Sequence, residues 1–158
     1  MPGGFPLGDV CRAFNESTLT DYHLGLPRLR SLLLNLVYVE NHGQSPFKVR
    51  FKENLPEADH IYPKSPLQTR LSLDSVDINH IGNFRFVGAS DNNRKRAELP
   101  DLYFTRLKQS GVDLEKHLLL KDYADDPAQL RFDVPSYTAF RDARFQEIWR
   151  ICSAVVNR

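Results

Sequence analysis

An acid and an imidazole stand side by side in the run Ala58-Asp59-His60-Ile61-Tyr62-Pro63-Lys64-Ser65, and two polar segments follow it in order. The first is Ile81-Gly82-Asn83-Phe84; the second is Ser90-Asp91-Asn92-Asn93-Arg94-Lys95-Arg96. Together they hold the parts that hydrolysis of a phosphodiester requires. An attacking water must lose a proton, and negative charge must be stabilised on the phosphoryl and leaving oxygens. Neutral His60 can take that proton near pH 7, since imidazole is the side chain whose unperturbed pKa lies closest. Asp59 is a hard oxygen ligand suited to Mg²⁺, or to Mn²⁺ in its place. Lys64, Arg94, Lys95 and Arg96 are cations able to hold phosphates. Successive strand residues point to opposite faces, so Asp59 and His60 share a site only where the strand twists or stops. Pro63 predicts that stop, because proline cannot donate to a ladder.

These residues resemble the HNH (His-Me finger, ββα-metal) nucleases. The likeness is to the C-terminal nuclease domain of GmrSD-type, modification-dependent restriction enzymes, with their His-Ile-x-Pro, Ile-Gly-Asn-aromatic and later Asn segments. The Asp59 to Ser65 and Ser90 to Arg94 stretches are also similar to the HNH domain of RNA-guided CRISPR effectors. The resemblance covers residues 57 to 97 closely and the helical flanks loosely. It implies an α+β, mainly helical fold in which a ββα-metal hairpin-plus-helix, about 57–98, is embedded between flanks at about 26–42 and 100–157. The whole of 1–158 would be one nuclease domain, an excised C-terminal part of a longer polypeptide.

By the same resemblance, His60 and Asn83 are the catalytic residues, His60 as base and Asn83 orienting the catalytic loop. Asp59 and Asn93 are the metal ligands. The third position of the motif is Asn rather than His, and Asn92 is an alternative amide one residue away, turned roughly 100° on a helix. His80 is either an additional ligand or a histidine satisfied by hydrogen bonds in its loop. The implied activity is Mg²⁺-dependent nicking or cleavage of DNA in a restriction or anti-phage system, in a bacterial or phage-related cytoplasm. The implied partner is a nucleotide-hydrolysing sensor domain or subunit, since no Gly-rich phosphate loop of the Walker type occurs here. Two other readings stand beside it: a non-catalytic nucleic-acid-binding ββα module, and a toxin-like nuclease with an immunity partner.

Composition bounds these readings. The 158 residues carry a net charge of +1, so a polyanion partner must be argued from local clustering. Between Arg85 and Lys108 six cations stand against the three acids Asp91, Glu98 and Asp101. Two cysteines, Cys11 and Cys152, exclude a disulfide framework and a four-thiolate zinc site. His23, His42 and His117 have no partner at ligand spacing. No apolar run approaches the roughly 18 residues of a membrane span, and no signal-peptide pattern opens the chain.

The elements that must position the site are legible in part. Leu29, Leu32, Leu33, Leu36, Val37 and Val39 recur near helical spacing, with Pro27 suited to a first turn and Gly43 to a stop. Phe47 to Phe51 and Asn83 to Val87 alternate as strands do. Residues 57–62 read as a short strand, and Pro66 to Leu73 as a short helix or loop excursion. Ser90 or Asp91 would cap a helix running through Glu98. Leu102 to Leu107 reads as helix ended by Gly111, and Asp122 to Pro127 as a polar loop. The clearest helix holds Tyr137, Phe140, Phe145, Ile148, Trp149, Cys152, Val155 and Val156 on one stripe. The first sixteen residues read as an arm.

Overall fold

The computed structural model describes residues 25–43, 56–89, 92, 95–114 and 133–156. The first-sixteen-residue arm, the Phe47 to Phe51 strand and the Asp122 to Pro127 loop lie outside the described residues, as do Ser90, Asp91, Asn93 and Arg94. What is described is mainly helical, with a two-stranded antiparallel sheet, and is α+β in outline.

Helix α1 spans Pro27–His42. Its proline fills a first-turn position where no N–H is needed, and Gly43 closes it at φ 69°, a left-handed residue that bonds back to the Val39 carbonyl. The buried face is Leu33, Leu34 and Val37, whereas Leu32 is 53% exposed. The expected stripe is therefore rotated: at 100° per residue, 33, 34 and 37 fall within one arc and 32 and 39 fall opposite it.

Strand β1 is Pro56–His60 and strand β2 is Phe84–Gly88. They pair in the register Ala58 with Phe86, Asp59 with Arg85, and His60 with Phe84. A lone hairpin is marginal in water, and helices cover this one. The Tyr38 hydroxyl of α1 donates to the Phe86 carbonyl at 2.8 Å and accepts from its N–H at 3.2 Å. That occupies the β2 edge that β1 leaves open.

Between the strands run α2 (Lys64–Leu71), the single turn α3 (Ser75–Ile78) and a 3₁₀ turn at Ile81–Asn83. Asp74 caps α3 by accepting from the N–H groups of Val76 and Asp77, both at 2.9 Å. After β2, Ala89, Asn92 and Lys95 are helical, and the turn begins at Arg96, whose φ is 49°. That segment is helical before Ser90 and ends three residues short of the expected Glu98. Helix α4 then spans Pro100–Gln109 and α5 spans Tyr137–Val156, entered through a 3₁₀ turn at Val134–Ser136.

Two apolar clusters flank the hairpin. One joins Leu33, Leu34 and Val37 of α1 to Phe84, Phe86, Ile148, Ile151 and Cys152. The other joins Ile61, Tyr62, Leu67 and Ile78 to Tyr103, Phe104, Tyr137 and Phe140. Helix α5 contributes to both, with Cys152 buried in the first at its C-terminal end. Trp149 lies partly buried and packs on Phe145 with ring centroids 6.3 Å apart.

Helix α5 also grips the loop before β2. The Tyr137 hydroxyl donates to the Asp77 carbonyl at 2.6 Å, and the Arg141 guanidinium donates to the Asp77 carboxylate at 2.9 Å. Gly82 comes so close that a Cβ there would lie 2.2 Å from the Arg141 carbonyl oxygen. A backbone atom cannot swing aside as a side-chain tip can. Gly82→Ala is therefore expected to lower stability by about 3 kcal/mol, the upper end for overpacking, in urea unfolding. A midpoint unchanged from wild type would mean that the loop and α5 do not meet as described.

Candidate active site

The end of β1 carries the two residues that the sequence singles out. Asp59 is 6% exposed and faces Arg85, its cross-strand partner. The Arg85 Nε donates to Asp59 Oδ2 at 3.1 Å, while its Nη2 donates to the Tyr103 hydroxyl at 2.7 Å. Lys95 reaches the same carboxylate from the helical segment after β2, with Nζ 3.0 Å from Oδ1 and 2.8 Å from Oδ2. The Lys95 ammonium also donates to the His60 carbonyl. Burial pushes the Lys95 pKa down, and the Asp59 charge works against that shift.

His60 faces the other way. Its ring packs on Phe84 with centroids 4.1 Å apart, and the Arg30 guanidinium lies 3.5 Å from the centre of the Phe84 ring. His60 Nε2 is 3.0 Å from Asn79 Oδ1. With an amide oxygen as acceptor, Nε2 carries the proton of the neutral ring and the lone pair resides on Nδ1. Burial pushes the His60 pKa below its ordinary value; the Asn79 bond opposes this, and the nearby Arg30 charge adds to it. The imidazole is thus held in its neutral, proton-accepting form at pH 7.

Asn83, fully buried, fixes the backbone beyond His60. Its Oδ1 accepts from the Tyr62 N–H at 2.8 Å, and its Nδ2 donates to the carbonyls of Tyr62 at 3.2 Å and Ile78 at 3.0 Å. The Ile61 N–H donates to the Asn83 carbonyl at 2.7 Å. Asn83 thereby holds the Ile61–Tyr62 backbone that follows the strand. Asn83→Ala would strand the buried Tyr62 N–H, so a loss of about 2–3 kcal/mol is expected in chemical denaturation. A loss under about 0.5 kcal/mol, the usual size of a surface substitution, would refute that anchoring.

His80 belongs to the same scaffold. Its Nδ1 accepts from the Gly82 N–H at 3.1 Å and its ring meets Phe145 edge-on at 5.3 Å. That nitrogen is committed to the turn.

A cleft of about 290 Å³ opens at this strand end, lined by Asp59, His60, Lys64, Asn92 and Arg96 among others. The structure thereby gathers residues from β1, α2 and the segment after β2. Lys64 and Arg96 are exposed at its rim, and Asn92 donates to Glu57 at 2.9 Å. Lys95, grouped by sequence with the phosphate-facing cations, is 2% exposed and points inward to Asp59. Asn93 and Arg94 lie outside the described residues.

Asp59 as described does not fit a divalent ion. Both its oxygens are engaged, and two cations already stand within 3.1 Å of Oδ2. Unit charges about 4 Å apart repel by roughly 4 kcal/mol at an effective dielectric near 20, and a divalent ion doubles that. The interior nearby is cationic as well: Arg144 is fully buried, its pKa pushed down to about 10 by desolvation.

Sequence reasoning missed Asn79, Arg30 and Arg85. The first two act on His60 from 19 residues downstream and across the Phe84 ring. Arg85 carries no local signal: in a strand alternating from Asn83 it stands on the face opposite Phe84 and Phe86, which reads as a solvated face. No family model matches this chain, and comparison with curated proteins and with solved structures gives no match either.

Proposed function

We propose that this chain is a phosphodiester-cleaving nuclease domain of the HNH type, acting on DNA, with His60 as general base. The observation that carries the reading is the cleft itself. His60, Lys64, Asn92 and Arg96 are among the residues that line it at the end of an antiparallel hairpin, and Asn83 pins the backbone that follows. His60 accepts the proton of the attacking water. Lys64 and Arg96 hold phosphates flanking the scissile bond, contacts that position a strand without reading its sequence. Asn79 sets the tautomer, and burial, helped by the Arg30 charge, keeps the imidazole uncharged. A role in a restriction or anti-phage system, with recognition supplied by a nucleotide-hydrolysing sensor domain or subunit, is part of the same proposal.

A second reading is favoured by one observation. Asp59 is saturated by Arg85 and Lys95, as it would be in a ββα module that binds nucleic acid without cutting it. Supercoiled plasmid incubated with the purified protein separates the two. The nuclease reading expects open circles whose nicks carry 5′-phosphate and 3′-hydroxyl ends. It also expects that Lys64→Ala with Arg96→Ala weakens binding and flattens its salt dependence by about two phosphate contacts. Salt-sensitive binding with every plasmid left closed would establish the non-catalytic module instead.

No helix among the described residues is long and apolar enough to cross a membrane.

A further inference from the structure

One ammonium group sits among three oxygens contributed by two consecutive residues. Lys95 Nζ lies 3.0 Å from Asp59 Oδ1 and 2.8 Å from Asp59 Oδ2, and it donates to the His60 carbonyl. A lysine has three N–H donors and no acceptor, so this arrangement uses all of them. Carboxylate and carbonyl oxygens converging on one point are also what a hard divalent cation selects. Here the point is filled from within the chain, by a side chain only 2% exposed, and Arg85 closes Asp59 from the other side.

We propose that Lys95 is a built-in cation of this cleft: its ammonium holds the position between the Asp59 carboxylate and the His60 carbonyl, and Asp59 takes no divalent ion. Resting on the nuclease reading for its catalytic consequence, this takes Asp59 out of any metal-dependent step. Lys95 is a positioning residue. With no donor left for a phosphate, it ties the His60 backbone to the helical segment after β2, just as Asn83 ties the backbone beyond it. Positive charge toward substrate comes from Lys64 and Arg96 at the rim.

The test reads metal uptake directly, whether or not DNA is cut. Wild-type protein is titrated with Mn²⁺, and free ion is followed by its electron paramagnetic resonance signal. The proposal expects no uptake that depends on Asp59, and it expects Lys95→Ala to create uptake of one Mn²⁺ that a further Asp59→Asn removes. Uptake by wild type that Asp59→Asn abolishes would overturn it. Because those variants can fail to fold, a second measurement uses wild type alone. Native protein is acylated with an N-hydroxysuccinimide ester, with and without excess Mg²⁺, and modification is quantified by peptide mass spectrometry. Lys95 should stay protected in both conditions while exposed Lys64 reacts. Reactivity of Lys95 that rises with Mg²⁺, or that equals that of Lys64 without it, would show that the ammonium does not hold the site. A protein that cuts no DNA under any condition would sink the nuclease reading and leave both metal measurements decisive.

Discussion

Asp59→Ala should destabilise this protein by about 3–5 kcal/mol, the range for removing one partner of a buried ion pair. The size follows from what would be left behind. Arg85 is fully buried and Lys95 is 2% exposed, and Asp59 is the carboxylate that both contact. Removing it takes from two neighbouring buried cations the carboxylate they share, which raises their desolvation cost and leaves their mutual repulsion unscreened. Lys95→Met should cost less, because Asp59 keeps Arg85 and the new side chain is apolar at a buried position. The asymmetry between the two variants is the diagnostic. Equilibrium urea unfolding measures it, and Asp59→Ala costing no more than Lys95→Met would mean that the triad is not the buried unit described.

That triad also shows where the sequence stops being readable. The hairpin is accessible because its signals are local: Pro63 cannot extend a strand, and Asn83 to Val87 alternate. Helices α1 and α5 announced themselves through apolar spacing, with Pro27 and Gly43 marking the ends of the first. The partners of Asp59 lie 26 and 36 residues away, and choosing them needs the register that sets Asp59 opposite Arg85. Lys95 was misleading for a physical reason. In Arg94-Lys95-Arg96 any member could face solvent, and only the course of the segment, which leaves helix at Arg96 with φ 49°, decides that Lys95 turns inward. Asn79 carried no motif at all. It reaches His60 because the turn after α3 is clamped to α5 by Tyr137, Arg141 and the close packing of Gly82. The exposed face of α1 at Leu32 marks the opposite limit, where apolar spacing alone placed a residue in the core that the helix turns outward.

His60→Ala should slow DNA cleavage by about 10²–10⁴-fold, the usual contribution of a positioned general base, while leaving DNA binding intact. The substitution removes a half-buried ring whose packing partner Phe84 keeps its contact with Arg30. It leaves Lys64 and Arg96 at the rim and Asn83 beneath. Loss of rate with binding retained therefore separates chemistry from substrate capture. The decisive measurement is the rate of nicking of supercoiled plasmid by wild type and by His60→Ala, at protein concentrations where gel-shift assays show both bound. The account predicts open circles from wild type and a rate lower by at least about 10²-fold from the variant. Equal nicking by the two proteins would remove His60 as the base and contradict the account at its centre.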